Sequence, residues 1–466
     1  MVRWLPWGAE AFARASRESK PVLLSITAAW CRACHEMDRT TYADSTVEAL
    51  IHDRFVPVRV DTDRRPDINE RYNLGGWPTT AFLTAQGTVI TGGTFVPVER
   101  MPGVLAQVAA AAEQHAAEHA GDPGGDAPLE RGDRGEPDDA AVIESIFSSF
   151  DDEYGGFGIE PKFPHTAPIQ LAMELFRDTG DAHWRGIVRR TLDAMADGSL
   201  WDRHHHGFYR YATTRDWQLP HREKLLETNA ALLRVYAEAA MVFGDPRDLE
   251  RCRAIAGFIT TTLRAEAGGY HGSDAEPVFY ADSNASAAAA LLRAATVLDD
   301  SVMAKEALAS FERVLLLCYK PGLGVAHYFD GAARVRGLLA DQIAVISALL
   351  DAHQVSDLEP YRMMAEELGY IVVRDMRDPG DGAFFDRAVT PEDVGLLRAR
   401  RKPFVASADA AMAFGLLSRL EPRKGFPDPG AFRDHARAAL DAAARQLDGQ
   451  GPLAAHYALA RRLLID

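Results

Sequence analysis

Apolar and polar residues along this chain follow one period in its first quarter and another in the remainder. Residues 1–118 alternate short β-type runs with helical ones: strands are expected at 21–28, 55–61, 79–84 and 88–91, the last two joined by the turn Gln86-Gly87. Helices are expected at 8–18, 34–52 and 98–117. From about residue 139 onward the pattern reads as helix after helix. Between the two parts, Gly121-Asp122-Pro123-Gly124-Gly125 through Glu136-Pro137-Asp138 has nothing to bury, so 119–138 is expected to be a flexible linker. The expected domains are therefore an α/β domain over 1–118 and an all-α domain over 139–466.

The helical part carries an internal repeat. Glycine-plus-aromatic clusters recur at Gly155-Gly156-Phe157-Gly158, Gly207-Phe208-Tyr209, Gly268-Gly269-Tyr270, Gly322-Leu323-Gly324 with Tyr328, and Gly382-Ala383-Phe384-Phe385. Their first glycines lie 52, 61, 54 and 60 residues apart, with a weaker sixth turn at Gly449-Gln450-Gly451. Each interval holds two helical stretches, such as 222–243 with 246–264 or 338–353 with 358–376, which predicts twelve helices in six hairpins over 139–464. Such a unit buries its apolar face only against its neighbours. Six hairpins run as an open solenoid or close into an (α/α)6 toroid, and the alternation of long loops with short turns, which collects the long loops on one rim, favours the toroid.

Composition narrows the partners. With 51 basic against 67 acidic residues the net charge is −16, which opposes a phosphate backbone or an anionic membrane surface, so neither nucleic acid nor membrane is an expected partner. The segment Met1-Val2-Arg3-Trp4-Leu5-Pro6-Trp7-Gly8 does not read as a signal peptide, and the expected location is the cytoplasm. Four cysteines are too few for a disulfide framework. Cys252 and Cys318, in apolar helical surroundings, read as inert core residues.

Cys31-Arg32-Ala33-Cys34 follows Trp30 and the apolar run Pro21-Val22-Leu23-Leu24-Ser25-Ile26-Thr27. Two thiols spaced this way at a helix N-terminus lie one turn apart, where the helix dipole and free N–H groups favour the first as thiolate. Cys31 is thus the expected nucleophile and Cys34 the resolving thiol. Arg32 and His35 add positive charge, predicting a disulfide more oxidising than about −270 mV. Rival readings of the same residues are c-type haem attachment at Cys31–His35, which needs export, zinc, which lacks further ligands, and a relic dithiol. No metal or cofactor is expected.

The motifs also carry a resemblance. Val22 to Cys31, with Val60-Asp61-Thr62-Asp63 and Gly75-Gly76-Trp77-Pro78-Thr79, resembles thioredoxin, and this implies that Pro78 is a cis-proline and that Trp30, Trp77 and Pro78 border the disulfide and offer a docking edge to a substrate peptide. Pro6-Trp7-Gly8, Lys20-Pro21-Val22, Cys31–His35, Arg64-Arg65-Pro66-Asp67, Pro161-Lys162-Phe163-Pro164 and Gly207 to Tyr211 resemble the two-domain family of spermatogenesis-associated thioredoxin-like proteins. That family places a thioredoxin-like domain before a six-hairpin toroid. The chain departs from the patterns at Ser25, where thioredoxin has a buried aspartate, at His221-Arg222-Glu223-Lys224, at Asp282-Ser283-Asn284 and at Ser407-Ala408-Asp409.

On the toroid rim the expected ligand-binding residues are Arg210, Trp217, His221, Glu223, Lys224, His327, Tyr328 and Asp341, because aromatic faces suit sugars and charged groups fix hydroxyls. Glu223 with Asp341 would make a carboxylate pair and His221 with His327 an acid/base couple. The rival reading has these aromatics plugging the centre and the charges pairing with one another. His204-His205-His206 reads as an exposed loop. The leading functional expectation is a thiol-disulfide oxidoreductase acting on a protein thiol/disulfide client or reductase, with a toroid that holds a client or a carbohydrate-like small molecule. A carbohydrate-active enzyme with a vestigial front domain and a non-enzymatic binding scaffold are the alternatives.

Overall fold

The computed structural model describes residues 1–118, 137–266, 268–425 and 427–465. Most of the expected linker, 119–136, lies outside the described residues. The chain divides into two compact units, the first taking in Val389–Arg401 as well as the N-terminal residues.

In the first unit the elements run α1 (Ala9–Glu18), β1 (Val22–Thr27), α2 (Arg32–Arg39), α3 (Ser45–Arg54), β2 (Val56–Asp61), α4 (Pro66–Tyr72), β3 (Thr79–Leu83), β4 (Val89–Gly93) and α5 (Met101–Glu118). The sheet order is β2-β1-β3-β4, with β1 parallel to β2 and the other pairs antiparallel. Alternation along β1 sends Val22, Leu24 and Ile26 to a core with Trp7, Phe12, Val58 and Tyr72, and Leu23 to a second core with Met37, Phe55, Phe82 and Leu105. The helix expected over 34–52 is divided in two. Asp44 caps α3 by accepting from Thr46 N and Val47 N at 2.9 Å, which fixes a new start. Helix α4 was not expected from the pattern; it spans only 7 residues and opens on Pro66.

Residues 389–401 complete this unit. Val394 and Leu397 join the core beside Tyr72. Tyr72 Oη donates to Gly87 O and accepts from Leu396 N, both at 2.8 Å, and the Arg71 guanidinium donates to Leu396 O and Ala399 O at 3.1 Å. Gly395, at φ +59°, passes so close that a Cβ there would lie 2.3 Å from Tyr72 Oη.

The second unit continues with α6 (Asp139–Phe147), α7 (Ala167–Thr179), α8 (Ala182–Asp197), β5 (Tyr211–Ala212), β6 (Pro220–His221), α9 (Leu226–Phe243), α10 (Pro246–Thr261), β7 (Phe279–Tyr280), α11 (Ala281–Leu298) and α12 (Ser301–Cys318). It ends with β8 (Tyr319–Lys320), β9 (Gly324–Phe329), β10 (Ala333–Arg336), α13 (Leu339–Ser356), α14 (Glu359–Met376), α15 (Phe404–Leu417), α16 (Phe432–Ala444) and α17 (Ala454–Ile465). Helices α7, α9, α11, α13, α15 and α17 pack in that order, and α17 packs back on α7. The ring is therefore closed, an (α/α)6 toroid and not an open solenoid. Each inner helix carries an outer partner, and the last, α17, takes the first, α6.

Two-residue turns join several of the pairs. Gly180 and Gly244 end α7 and α9 in the left-handed region, then Asp181 and Asp245 cap the next helix. The long connections share a pattern that accounts for the glycine-aromatic repeat. After an outer helix the chain turns back in a tight bridge, pairing Phe150 with Phe157, Trp201 with Phe208, Arg264 with Tyr270 and Arg377 with Phe384. A side-chain amide at the fourth residue of the next inner helix then holds the returning strand. Asn229 accepts from Phe208 N at 2.7 Å and donates to its carbonyl at 3.0 Å, Asn284 does the same for Tyr270 at 2.8 Å each way, and Gln342 for Val325 at 2.8 and 3.0 Å.

Candidate functional sites

In the first unit Cys31 caps helix α2, and Cys31 and Cys34 form a disulfide with Cα atoms 5.3 Å apart. Cys31 Sγ accepts from Cys34 N at 3.1 Å, the interaction that would stabilise a thiolate at this position. The sulfurs sit in an apolar cluster with Ala28, Trp30 and Trp77, Cys31 being 6% and Cys34 3% exposed. Trp30 and Trp77 meet edge to face at 5.4 Å. Trp30 Nε1 donates to Asp63 Oδ2 at 2.7 Å and Trp77 Nε1 to Asn69 Oδ1 at 3.2 Å, so both indoles are fixed by the helix α4 side of the domain. The Trp77–Pro78 peptide is cis, as the resemblance implied, and Pro78 is buried. His35 donates from Nε2 to Ala29 O at 2.8 Å. Ser25 is fully buried on β1. By contrast Cys252 and Cys318 are sealed in the second unit, where burial pushes both thiols up to about 12.

The second unit brings titratable groups together at the rim-side ends of its inner helices. Glu227 is the second residue of α9, Asp282 the second of α11, Asp341 the third of α13 and His456 the third of α17, while Asp409 lies in the second turn of α15 and His165 just before α7. Each of the six positions in the inner ring, counting the approach to α7, thus contributes one group. Glu227 is reached by solvent, yet protein surrounds it closely enough that burial, followed by repulsion from Asp282, raises its carboxyl. His456 Nδ1 and Asp409 Oδ1 are 2.8 Å apart, with side chains 29% and 46% exposed. Burial pushes His456 down, but Asp409 more than offsets it and the imidazole is raised. His165 is lowered, first by burial and then by His456.

The expected rim residues separate into three sets. His327 and Asp341 are bonded at 2.8 Å, Nδ1 to Oδ1, and both are buried. With Asp282 they form the group among the described residues whose ligand atoms, all within 4.8 Å, could hold a cation. Tyr328 packs with Tyr280, Val278 and Val335 beside them. Arg210, His221 and Glu223 belong to a different wall. Across the β5/β6 pair, Tyr211 stacks on His221 at 4.3 Å and on Phe163 at 4.6 Å, Arg210 lies 5.7 Å over Tyr211, and Glu223 Oε2 is 3.6 Å from His221 Nδ1. The expected couples Glu223–Asp341 and His221–His327 therefore divide between these two sets, and each member has its own nearer partner.

Trp217 and Lys224 are corrected. Trp217 is 1% exposed, with Nε1 donating to Tyr154 O at 3.0 Å. It fills the space over Gly156, where a Cβ would meet the indole at 2.4 Å, and so offers no free face. Lys224 is buried and donates to Asp202 Oδ2 at 2.7 Å and His206 O at 2.7 Å. Its counterparts are Lys162 on Asp151 and Lys402 on Asp378, each at 2.6 Å, so the pairing is a strut repeated in three rim loops. Asp151 and Asp202 are pushed up by burial, but their cations and backbone N–H donors hold both carboxyls well below the usual range. Phe163, Tyr211, His165, His456, Asp409, Glu227 and Asp282 were not among the expected site residues.

A thioredoxin-like domain bearing a Cys-x-x-Cys disulfide, followed by an (α/α)6 toroid, defines the class of protein. Residues 1–120 match the family described as Thioredox_DsbH, protein of unknown function, DUF255. The chain is 31% identical over 320 residues to spermatogenesis-associated protein 20 of Mus musculus, an alignment covering 59% of this chain and 38% of the mouse protein. The resemblance read from the motifs is thereby borne out, although the chain spans well under half the length of that relative. The dithiol region is 37% identical over 81 residues to the thiol:disulfide interchange protein DsbD of Ralstonia nicotianae, covering 17% of this chain and 13% of that one. In fold, the chain is similar to a D-mannose isomerase, with a TM-score of 0.56, 14% identity, and coverage of 70% of this chain and 97% of that one. No helix among the described residues is long and apolar enough to cross a membrane.

Proposed function

We propose that the protein is a thiol-disulfide oxidoreductase of the cytoplasm, in which Cys31 attacks and Cys34 resolves. The observation that carries this reading is the Cys31–Cys34 disulfide at the start of α2, bordered by Trp30 and by the cis Trp77–Pro78 peptide. In the oxidising direction a client thiolate attacks a sulfur of the disulfide, the S–S bond breaks, and a second thiolate of the client attacks the client sulfur of the mixed disulfide, leaving the client with a disulfide and the dithiol reduced. The reverse direction reduces a client disulfide. Partners are a protein thiol or disulfide client and the reductase or oxidant that resets the pair.

Alkylation mass spectrometry after mild oxidation and reduction tests the proposal: the peptide pair containing residues 31 and 34 should shift between the two states, and a Cys34→Ser variant should retain clients as mixed disulfides at Cys31. A dithiol that stays alkylatable under oxidant would sink it. A glutathione titration of the same protein should give a potential above about −270 mV, because Arg32 and His35 favour the reduced thiolate.

A second reading, a carbohydrate site in the toroid, is favoured by one feature. Phe163, 37% exposed, stacks on Tyr211, which stacks on His221, giving a reachable run of flat faces beside the charged ring.

A further inference from the structure

That run of rings does not stop at Phe163. The His165 ring lies 6.4 Å from the Phe163 ring, and His165 N donates to Phe163 O at 2.9 Å, so the ladder His221–Tyr211–Phe163 leads to His165. His456, on the inner helix α17 that packs on α7, is near enough to act on His165 electrostatically, and it is bonded to Asp409 on α15 at 2.8 Å. Three adjacent ring positions, α15, α17 and the approach to α7, thus bring an anchored imidazole and a second imidazole to the end of an aromatic platform. On the opposite arc, α9, α11 and α13 present Glu227, Asp282 and the His327–Asp341 pair.

We infer that His165 and His456 are the general base and general acid of a proton-transfer reaction on a neutral reducing sugar, with Asp409 as a positioning residue. The inference rests on the carbohydrate reading of the toroid and adds the chemistry to it. The two imidazoles sit in opposite environments: burial and the neighbouring imidazole favour neutral His165, while the Asp409 carboxylate favours protonated His456. Paired groups pushed apart in this way take the acid and base roles.

With the open-chain sugar stacked on the platform, His165 takes the proton from the carbon next to the carbonyl. The C–H electron pair becomes the C=C bond of an enediol as His456 gives its proton to the carbonyl oxygen. Return of a proton from His165 to the neighbouring carbon, with loss of the hydroxyl proton to His456, yields the ketose from the aldose; when the enediol first turns its other face to His165, return of the proton to the same carbon, with the proton on the former carbonyl oxygen going back to His456, yields the epimer. Atoms and electrons balance without any co-reactant.

The test is proton NMR of the full chain with glucose, mannose or cellobiose in deuterium oxide, run beside a thermal-shift measurement of binding. Deuterium should appear at the carbon next to the carbonyl, and the rate should fall by at least about 100-fold in His165→Gln and in His456→Gln. Asp409→Ala should slow exchange, and Asp409→Glu should recover part of it, which a purely structural role would not require. Sugar binding without exchange, or exchange that survives both histidine variants, overturns the inference and leaves the carbohydrate reading standing. Neither binding nor exchange with any of the three sugars overturns both. Should a histidine variant fail to fold, the wild-type exchange and the Asp409 pair still decide.

Discussion

The Lys224–Asp202 and His456–Asp409 pairs join the same kinds of group at nearly the same distance, 2.7 and 2.8 Å, in the same ring of helices. Their surroundings set them apart. Lys224 and Asp202 are each under 10% exposed, bonded further to His206 O and to the backbone of the loop, and repeated at Lys162 and Lys402. His456 and Asp409 face solvent from the inner helices and have no counterpart at the equivalent places of α9 or α11. A charge pair repeated with the fold serves the fold, whereas one that breaks the repeat and remains reachable is available for chemistry.

The comparison can be broken most forcefully at the strut. Lys224→Met leaves the Asp202 carboxylate buried without its cation and should cost about 3–5 kcal/mol in urea unfolding, whereas His456→Gln should cost about 1 kcal/mol or less. Equal losses would erase the distinction. A smaller effect is expected at the amide clamp, where Asn284→Ala strands Tyr270 N and O and should destabilise by about 1–3 kcal/mol. The mildest test is acid. Because Asp151 and Asp202 have lowered carboxyls in the folded state, that state binds fewer protons than the unfolded chain. Their contribution is fully present above the ordinary carboxylate value of about 3.9 and is lost as pH falls toward the folded values beneath it. Asp202→Asn should accordingly flatten the fall of Tm with pH below about 4.

How much of this was legible differs between the units for a physical reason. The first unit's chemistry is local: Cys31 and Cys34 are one turn apart, and the strand before them reads from alternation alone. Even the failures there are local, since α4 is too short for periodicity to mark it and the break at Asp44 is a capping effect inside an apolar pattern. In the toroid the helices and the repeat were readable, but the site was not. His165 and His456 are neighbours only because α17 closes onto α7, and a lone histidine on a helix gives no sign of that. Lys224 misled because it sits beside rim residues, and its kinship with Lys162 and Lys402 is hidden by unequal loop lengths. The reachable ring residues Phe163 and Tyr211 lay in quoted motifs, yet their stacking depends on the β5/β6 register.

The place of Val394 and Leu397 in the front core bears on how the polypeptide is made. A ribosome has to deliver most of the toroid's helices before the piece that closes the first core emerges. Until then Tyr72 lacks the Leu396 N–H that its hydroxyl accepts, and a nascent chain halted after residue 118 carries an apolar patch awaiting its cover. The order of maturation is therefore interleaved: the domain synthesised ahead of the toroid is finished late, and the redox pair sits on a scaffold whose last part arrives only after most of the toroid's helices.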